Sequence, residues 1–297
     1  MCRQVEPYLN NMLELTRFNS RTDYLAYRQA SAAIRAERQD EERRLTGDAE
    51  VFRVPAFCYV CGRARDLAVR FTLEERRNHR APNWREHLLC PGCKLNSRLR
   101  ACFHLFDINC GGNFPGSIYL PEQGSPLFRM LQRRFAAVVG SEFLRPSFRP
   151  GQKNWRGIRH EDLSALSFPD GIFDAILCFE VLEHIPDYLA ALGECFRCLK
   201  TPGLFLFTVP FILDSDENLI RARRHEDRSI EHLQTPEYHS DPFGKRRILC
   251  FYHFGWQLVR EMTAIGFCDV HAELYWSRRY GYLGQESVVF FARKQGL

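Results

Sequence analysis

Four cysteines stand in two C-x-x-C pairs, Cys58-Tyr59-Val60-Cys61-Gly62 and Cys90-Pro91-Gly92-Cys93. Each pair turns two thiolates toward one ion, glycine relieves the tight backbone, and two pairs complete a closed tetrahedral set. Zinc suits such an all-thiolate site, an iron–sulfur cluster being the alternative, and a zinc with every position filled by protein is structural. Cys58, Cys61, Cys90 and Cys93 are therefore the expected metal ligands. His79, His87, Cys102, His104 and Cys110 lie nearby in the chain and read as ordinary surface or core residues. The 28 residues from Gly62 to Leu89 exceed the usual spacing of such pairs, which predicts an extra hairpin or helix between them.

The rest of the chain has to position that chemistry. Its 297 residues hold one large domain or two modest ones, and 45% hydrophobic with 26% charged residues is a globular composition. No apolar run approaches the length of a bilayer span, and the first residues lack a signal-peptide pattern, so a cytoplasmic protein is expected. Residues 51–105 carry eleven Lys and Arg against four Asp and Glu, whereas the flanking segments are nearly balanced. That surplus suits an anionic partner or a solvated surface. The organisation expected is a helical segment over 1–50, a four-cysteine module over 51–105 and one larger domain over 106–297 with an insertion at 211–250. Within the first segment, the stripe Leu9, Leu13, Phe18, Tyr24, Tyr27 and Ile34 predicts helix from 7 to about 46. The run Lys94 to Arg100 opens an amphipathic basic helix that either joins two domains or lines a groove.

Residues 162–210 are the most regular part. Phe173 and Asp174 open an apolar strand ending at Phe179, and Asp187 starts a helical pattern with Leu189, Leu192, Phe196 and Leu199 on one face. Thr201-Pro202-Gly203 stops it, and Leu204 to Val209 is a second apolar strand. Strand, helix, strand of this hydrophobicity is a parallel crossover, and such sheets bind ligands at the carboxyl ends of their strands. Upstream, Ser117–Leu120 and Ala136–Val139 read as strands flanking a helix from Leu127 to Phe135. Glu142, just past the second of them, can accept from both hydroxyls of a ribose. Downstream, a helix opens at His253-Phe254-Gly255-Trp256 and ends at Gly266-Phe267, and Ser287 to Ala292 is a final strand.

Val181-Leu182-Glu183-His184-Ile185, directly after the Phe179 strand, resembles the V-L-E-H-[IV] signature of class I S-adenosylmethionine-dependent methyltransferases, of the type 11-like group. The resemblance implies an α/β, Rossmann-like doubly wound sheet of seven strands, the seventh antiparallel. It implies S-adenosyl-L-methionine as cofactor, with Glu122 and Gly124 matching the acidic-then-glycine loop, and Pro126 standing where a second glycine is usual. Asp162 and Leu163 match the adenine-side positions, and Phe179 closes the strand facing the cofactor. The run Pro236-Glu237-Tyr238-His239-Ser240-Asp241-Pro242 is similar to a segment of a zinc-ribbon-bearing branch often grouped with glycan modification, which implies O-methylation of a sugar or glycan-linked acceptor. A hydroxyl acceptor must lose a proton, and histidine titrates near neutrality. His184 and His239 are the candidate bases, Tyr238 and Asp241 the residues that orient them or bind the acceptor, and His253 a third candidate. Two other readings stay open: a nucleic-acid methyltransferase whose basic cysteine module is the reader, and a non-catalytic scaffold, which Pro126 suggests.

Overall fold

A computed structural model of the chain describes residues 12–78, 80–111, 114, 116–145, 147–240, 247–284 and 286–295. These fall into two compact units. One draws on the chain up to Phe18, from Ala26 to Gly111 and from Glu273 to Val289; the other on Asn19–Leu25, on Phe114 to Ala272 and from Phe290 onward.

The first unit begins with a strand, β1 (Glu14–Phe18), where the sequence reading expects helix. Thr16 and Phe18 favour extended backbone, and Phe18 turns inward while Glu14 and Leu15 stay exposed. Helices α1 (Arg21–Ala30) and α2 (Ala32–Leu45) follow, as expected, although Ile34 is half exposed rather than part of a buried stripe. Residues 7–11 lie outside the described residues. The cysteine-bearing stretch is a three-stranded antiparallel sheet of β2 (Val51–Cys58), β3 (Arg63–Arg70) and β4 (Leu88–Leu89). Between the pairs, β3 is joined by two short helices, α3 (Leu73–Arg77) and α4 (Trp84–His87), so the long spacing does hold added structure. Helix α5 (Ser97–Asn109), expected as an amphipathic basic helix that joins two domains or lines a groove, is buried on most of its surface. Ten of its residues are buried, and Arg100, fully buried, donates to the carbonyls of Tyr280 and Gly281 at 2.6 and 3.0 Å. Arg98 is tied to Glu86 at 2.8 Å. Their charges are spent inside the unit.

The second unit opens with β5 (Ser117–Leu120), α6 (Pro126–Arg134) and β6 (Ala137–Gly140). Then come β7 (Phe173–Phe179), a short 3-10 turn at Leu182–His184, α7 (Tyr188–Cys198) and β8 (Leu199–Thr208). Asp187 caps α7 by accepting from the Ala190 amide at 3.0 Å. The insertion is built from nested antiparallel pairs rather than a loop. In chain order its strands are β9 (Leu219–Ile220), β10 (Ala222–Arg224), β11 (Ile230–His232), β12 (Tyr238–Ser240), β13 (Arg247–Leu249) and β14 (Tyr252–His253). They pair as β9 with β14, β10 with β11 and β12 with β13. Helix α8 (Gln257–Ile265) ends at Gly266, whose φ of 119° suits only glycine, and β15 (Cys268–Trp276) and β16 (Val288–Lys294) complete the chain.

The main sheet has seven strands in the order β1-β15-β16-β8-β7-β5-β6. Pairs β6–β5, β5–β7 and β7–β8 are parallel, while β16 runs antiparallel to β8 as expected for the last strand. All but Asp174 of β7 is buried, the mark of a strand covered on both faces. Just before Asp162 the chain joins the neighbouring segment by one parallel bridge, Glu142 with His160. Pro, Gly and Arg crowd residues 145–159, and Gly151 and Gly157 take left-handed φ of 78° and 74°, which bends the chain instead of extending it. The seventh place in the sheet is taken by β1.

Candidate functional site

The site of the second unit begins with the turn after β5. Gly124 donates its amide to Glu142 Oε1 at 3.0 Å, joining the glycine loop to the residue just past β6. Ser125 then caps α6 by accepting from the Phe128 amide at 3.1 Å, and Pro126 occupies the first turn. There a missing N–H costs nothing and the fixed φ is already helical. Pro126 is thus a helix-start device and leaves the loop ahead of it free to take its own shape. Gly140 ends β6 against the ring of Phe128; a Cβ on it would lie 2.5 Å from that ring. Asp162 and Leu163 come just after the His160 bridge. Asp162 Oδ1 accepts from the Ser164 amide and hydroxyl at 2.9 and 2.6 Å, closing a turn, and Leu163 is buried beside it in sequence.

At the end of β7, Phe179 is buried and Glu180 sits in the left-handed region at φ 55°, an uncommon conformation for a residue with a side chain. The chain then turns sharply into Leu182–His184, which sends Glu183 inward. Glu183 is fully buried, and burial pushes its carboxyl up to about 7. Its carbonyl accepts from the Phe251 amide at 2.7 Å, which ties the insertion to this turn. The same seam orients His184, whose Nδ1 donates to the Leu249 carbonyl at 2.8 Å. Burial holds the His184 imidazole below its ordinary range.

Pairing of β12 with β13 sets His239 opposite Ile248 and delivers its ring to His184. His239 Nδ1 is 3.1 Å from His184 Nε2 and 3.6 Å from Glu183 Oε1, while His184 Nε2 is also 3.6 Å from that oxygen. Glu237 Oε1 accepts from His239 Nε2 at 3.1 Å, and its other oxygen lies 3.1 Å from His253 Nε2 and 3.2 Å from Arg221. Glu183, and then Glu237, push His239 up to about 9 against its own burial. The two candidate histidines, 55 residues apart in sequence, thus meet. Tyr238, on the same strand, is exposed with Arg247 over its ring at 5.3 Å, and Asp241 lies outside the described residues. Sequence reasoning gave Glu183 and Glu237 no role. A glutamate in the polar run that closes a buried strand was the available signal for the first; nothing local marks the second.

The four cysteines of the first unit converge. Cys58 and Cys93 sulfurs are 3.8 Å apart, as are those of Cys61 and Cys90, and all four lie within 4.8 Å of one another. Gly62 (φ 64°) turns the first pair, and a Cβ on Gly92 would press on Cys61 Sγ at 2.9 Å, so both glycines are required by the approach. Crowding pushes the Cys58 thiol up to about 12, its hydrogen bond to Cys90 leading, while Cys90 is held down as the shared acceptor. His104 is no ligand: it stacks on Tyr59 at 3.6 Å, and burial pushes it down to about 3.

Comparison with known proteins locates the second unit's fold. A model described as a methyltransferase domain matches residues 124–207, from Gly124 through β8. That match spans 84 of the 297 residues. In the main sheet, four parallel strands with an antiparallel β16 beside them make the Rossmann-like class I arrangement. The chain is 42% identical over 53 residues to a probable S-adenosylmethionine-dependent methyltransferase of Mycolicibacterium smegmatis, spanning 18% of this chain and 21% of that protein. It is 46% identical over 59 residues to a ubiquinone biosynthesis O-methyltransferase of Xanthomonas oryzae pv. oryzae, 20% of this chain and 24% of that one. The chain therefore spans about a quarter or less of the length of these curated relatives. Among solved structures, the Burkholderia thailandensis 1,6-didemethyltoxoflavin-N1-methyltransferase is similar at 17% identity and TM-score 0.38, over 67% of this chain and 79% of that one. Streptomyces venezuelae DesVI is similar at 12% identity and TM-score 0.42, over 67% and 92%.

Proposed function

We propose that the chain is an S-adenosylmethionine-dependent methyltransferase that methylates a hydroxyl oxygen, on a sugar or glycan-linked acceptor. The observation that carries the cofactor is the Gly124–Glu142 bond inside the matched domain. It holds a carboxylate at the end of β6, beside the loop that would receive the cofactor, at the place where such sheets bind a ribose. Asp162, Leu163 and Phe179 are the further residues assigned to the cofactor, with Glu122 in the glycine loop. The cofactor supplies an activated methyl group on a sulfonium. The chain's part is to hold the acceptor in line and take its proton. His184 and His239 are assigned to that proton, because they converge one turn past β7, the strand end where such sheets bind ligands. The sugar class rests on the Pro236–Pro242 run alone.

Pro126 no longer favours a non-catalytic scaffold, since it starts a helix. Of the module's basic residues, Arg85, Arg98 and Arg100 are paired or buried within the unit, while Arg53, Arg63, Arg70, Arg77, Arg80 and Lys94 are exposed. The four cysteines are assigned a structural zinc. Their paired 3.8 Å sulfur spacing fits a tetrahedron of thiolates about ~2.3 Å from one ion, whose edges are ~3.8 Å. Calorimetric titration of the protein with S-adenosylhomocysteine tests the cofactor reading; saturable binding is expected, and its absence at millimolar ligand refutes it. Transfer of labelled methyl groups to panels of sugars and of phenols then separates the acceptor classes.

A further inference from the structure

We infer that Glu183, His184 and His239 form a second metal site, for a divalent transition cation such as zinc. The argument starts from proton positions. A carbonyl oxygen only accepts, so the His184 Nδ1 facing the Leu249 carbonyl at 2.8 Å carries the proton, and Nε2 presents a lone pair. His239 directs Nε2 at the Glu237 carboxylate at 3.1 Å, so in the singly protonated ring the proton sits there and Nδ1 presents the lone pair. Those two lone pairs face each other at 3.1 Å. The third group facing them is the Glu183 carboxylate, fully buried, neither oxygen of which has a hydrogen-bond partner among the described residues. Three acceptors aimed at one point repel unless a cation stands between them.

The spacing fits a metal. Nitrogen and oxygen ligands at ~2.0–2.2 Å from a tetrahedral zinc are ~3.3–3.6 Å apart, and the observed separations are 3.1, 3.6 and 3.6 Å. The same measure applied to the four cysteines reproduces their sulfur spacing. The surroundings fit as well. Ligating histidines characteristically give their other N–H to a carbonyl or carboxylate, which fixes ring and tautomer, and here Leu249 and Glu237 do so. Glu237 is itself held by His253 and Arg221. Two histidines and one glutamate leave a fourth position open, the donor set of a site that binds a hydroxyl or water and lowers its pKa. A bound cation takes the lone pairs that would otherwise accept the acceptor's proton, so with the cation in place that proton leaves at the open fourth position; cation binding is measured without cofactor or acceptor.

The rival occupant is a proton, which would make His239 an imidazolium paired with Glu183. Elemental analysis of the purified full chain, loaded with zinc and dialysed, separates the two. The wild type is expected to hold about two equivalents per chain, and Glu183→Gln with His239→Ala about one, the remainder being the thiolate site. Cobalt loading should show weak visible bands that this variant loses, beside an intense sulfur charge-transfer band that it keeps. Unchanged amide exchange in β7 and β8 shows that the variant's second unit is folded. X-ray absorption of the zinc-loaded wild type needs no variant, and scatterers at ~2.0 Å together with sulfur at ~2.3 Å are expected. A wild type holding about one equivalent with a sulfur-only shell overturns the site and leaves the imidazolium pair.

Discussion

Asp174 is the residue on which the start of the central strands depends. Its Oδ2 takes the Ser117 amide at 2.7 Å, the Ser117 hydroxyl at 2.8 Å and the Lys200 ammonium at 2.7 Å, so one carboxylate ties the first residues of β5, β7 and β8. Burial alone would raise its carboxyl; Lys200 and Ser117 more than offset that and hold it below the ordinary range. A depressed carboxyl contributes stability above its unfolded pKa, about 4, and loses it as pH falls through the folded value. Asp174→Asn should therefore lower the urea stability by about 1–2 kcal/mol at pH 7. The gap between wild type and variant should narrow in acid below pH ~4; a gap that stays constant would assign the effect to packing. Glu142 makes a prediction of a different kind. Glu142→Gln keeps the shape but weakens acceptance from ribose hydroxyls, so the dissociation constant for S-adenosylhomocysteine should rise roughly tenfold. Unchanged affinity would remove Glu142 from the cofactor site.

At the scale of elements, the contact between α6 and β6 fixes the floor on which the Gly124 loop rests. Gly140→Ala forces the Phe128 ring, itself buried, away from a Cβ that would otherwise sit 2.5 Å from it. Overpacking of this kind costs about 1–3 kcal/mol, so the thermal midpoint should fall by several degrees. A midpoint that does not move would mean that the ring turns aside freely. The crossover β7–α7–β8 was legible in the sequence because its pieces each obey one period: an apolar run from Ala175 to Phe179, then a 3.6-residue stripe behind an Asp cap. The insertion was not. Its six short strands bury little, their pattern is set by pairing with one another, and no single two- or three-residue strand carries a period that can be read. β1 was misread for a related reason: five residues beside a long helical pattern follow the sheet edge they join rather than their neighbours.

Over the whole molecule, each unit has its own core. Val54, Leu67, Trp84, Leu95 and Phe106 fill one, and Ile118, Ile176, Phe205, Leu258 and Met262 the other. No helix among the described residues is long and apolar enough to cross a membrane. If the four-cysteine site holds zinc, Cys58→Ser with Cys61→Ser should raise amide exchange across β2, β3 and β4. Exchange in the buried strands β7 and β8 should change little, as followed by hydrogen-exchange mass spectrometry. Equal loss of protection everywhere would show that the metal supports both cores. Sequence alone determined the two C-x-x-C pairs, the parallel crossover and the glycine loop, because spacing, periodicity and turn chemistry are local and survive without neighbours. Only the tertiary structure decided that Pro126 is a helix start, that the basic helix α5 is buried, and that Glu142 meets His160 through a single bridge. It alone brought His239 from the insertion to His184 and left Glu183 buried beside their rings. That meeting depends on the register of β12 against β13 and on a backbone seam at Leu249 and Phe251. Register between distant strands is set by the pairing itself, and no residue pattern along one strand records it.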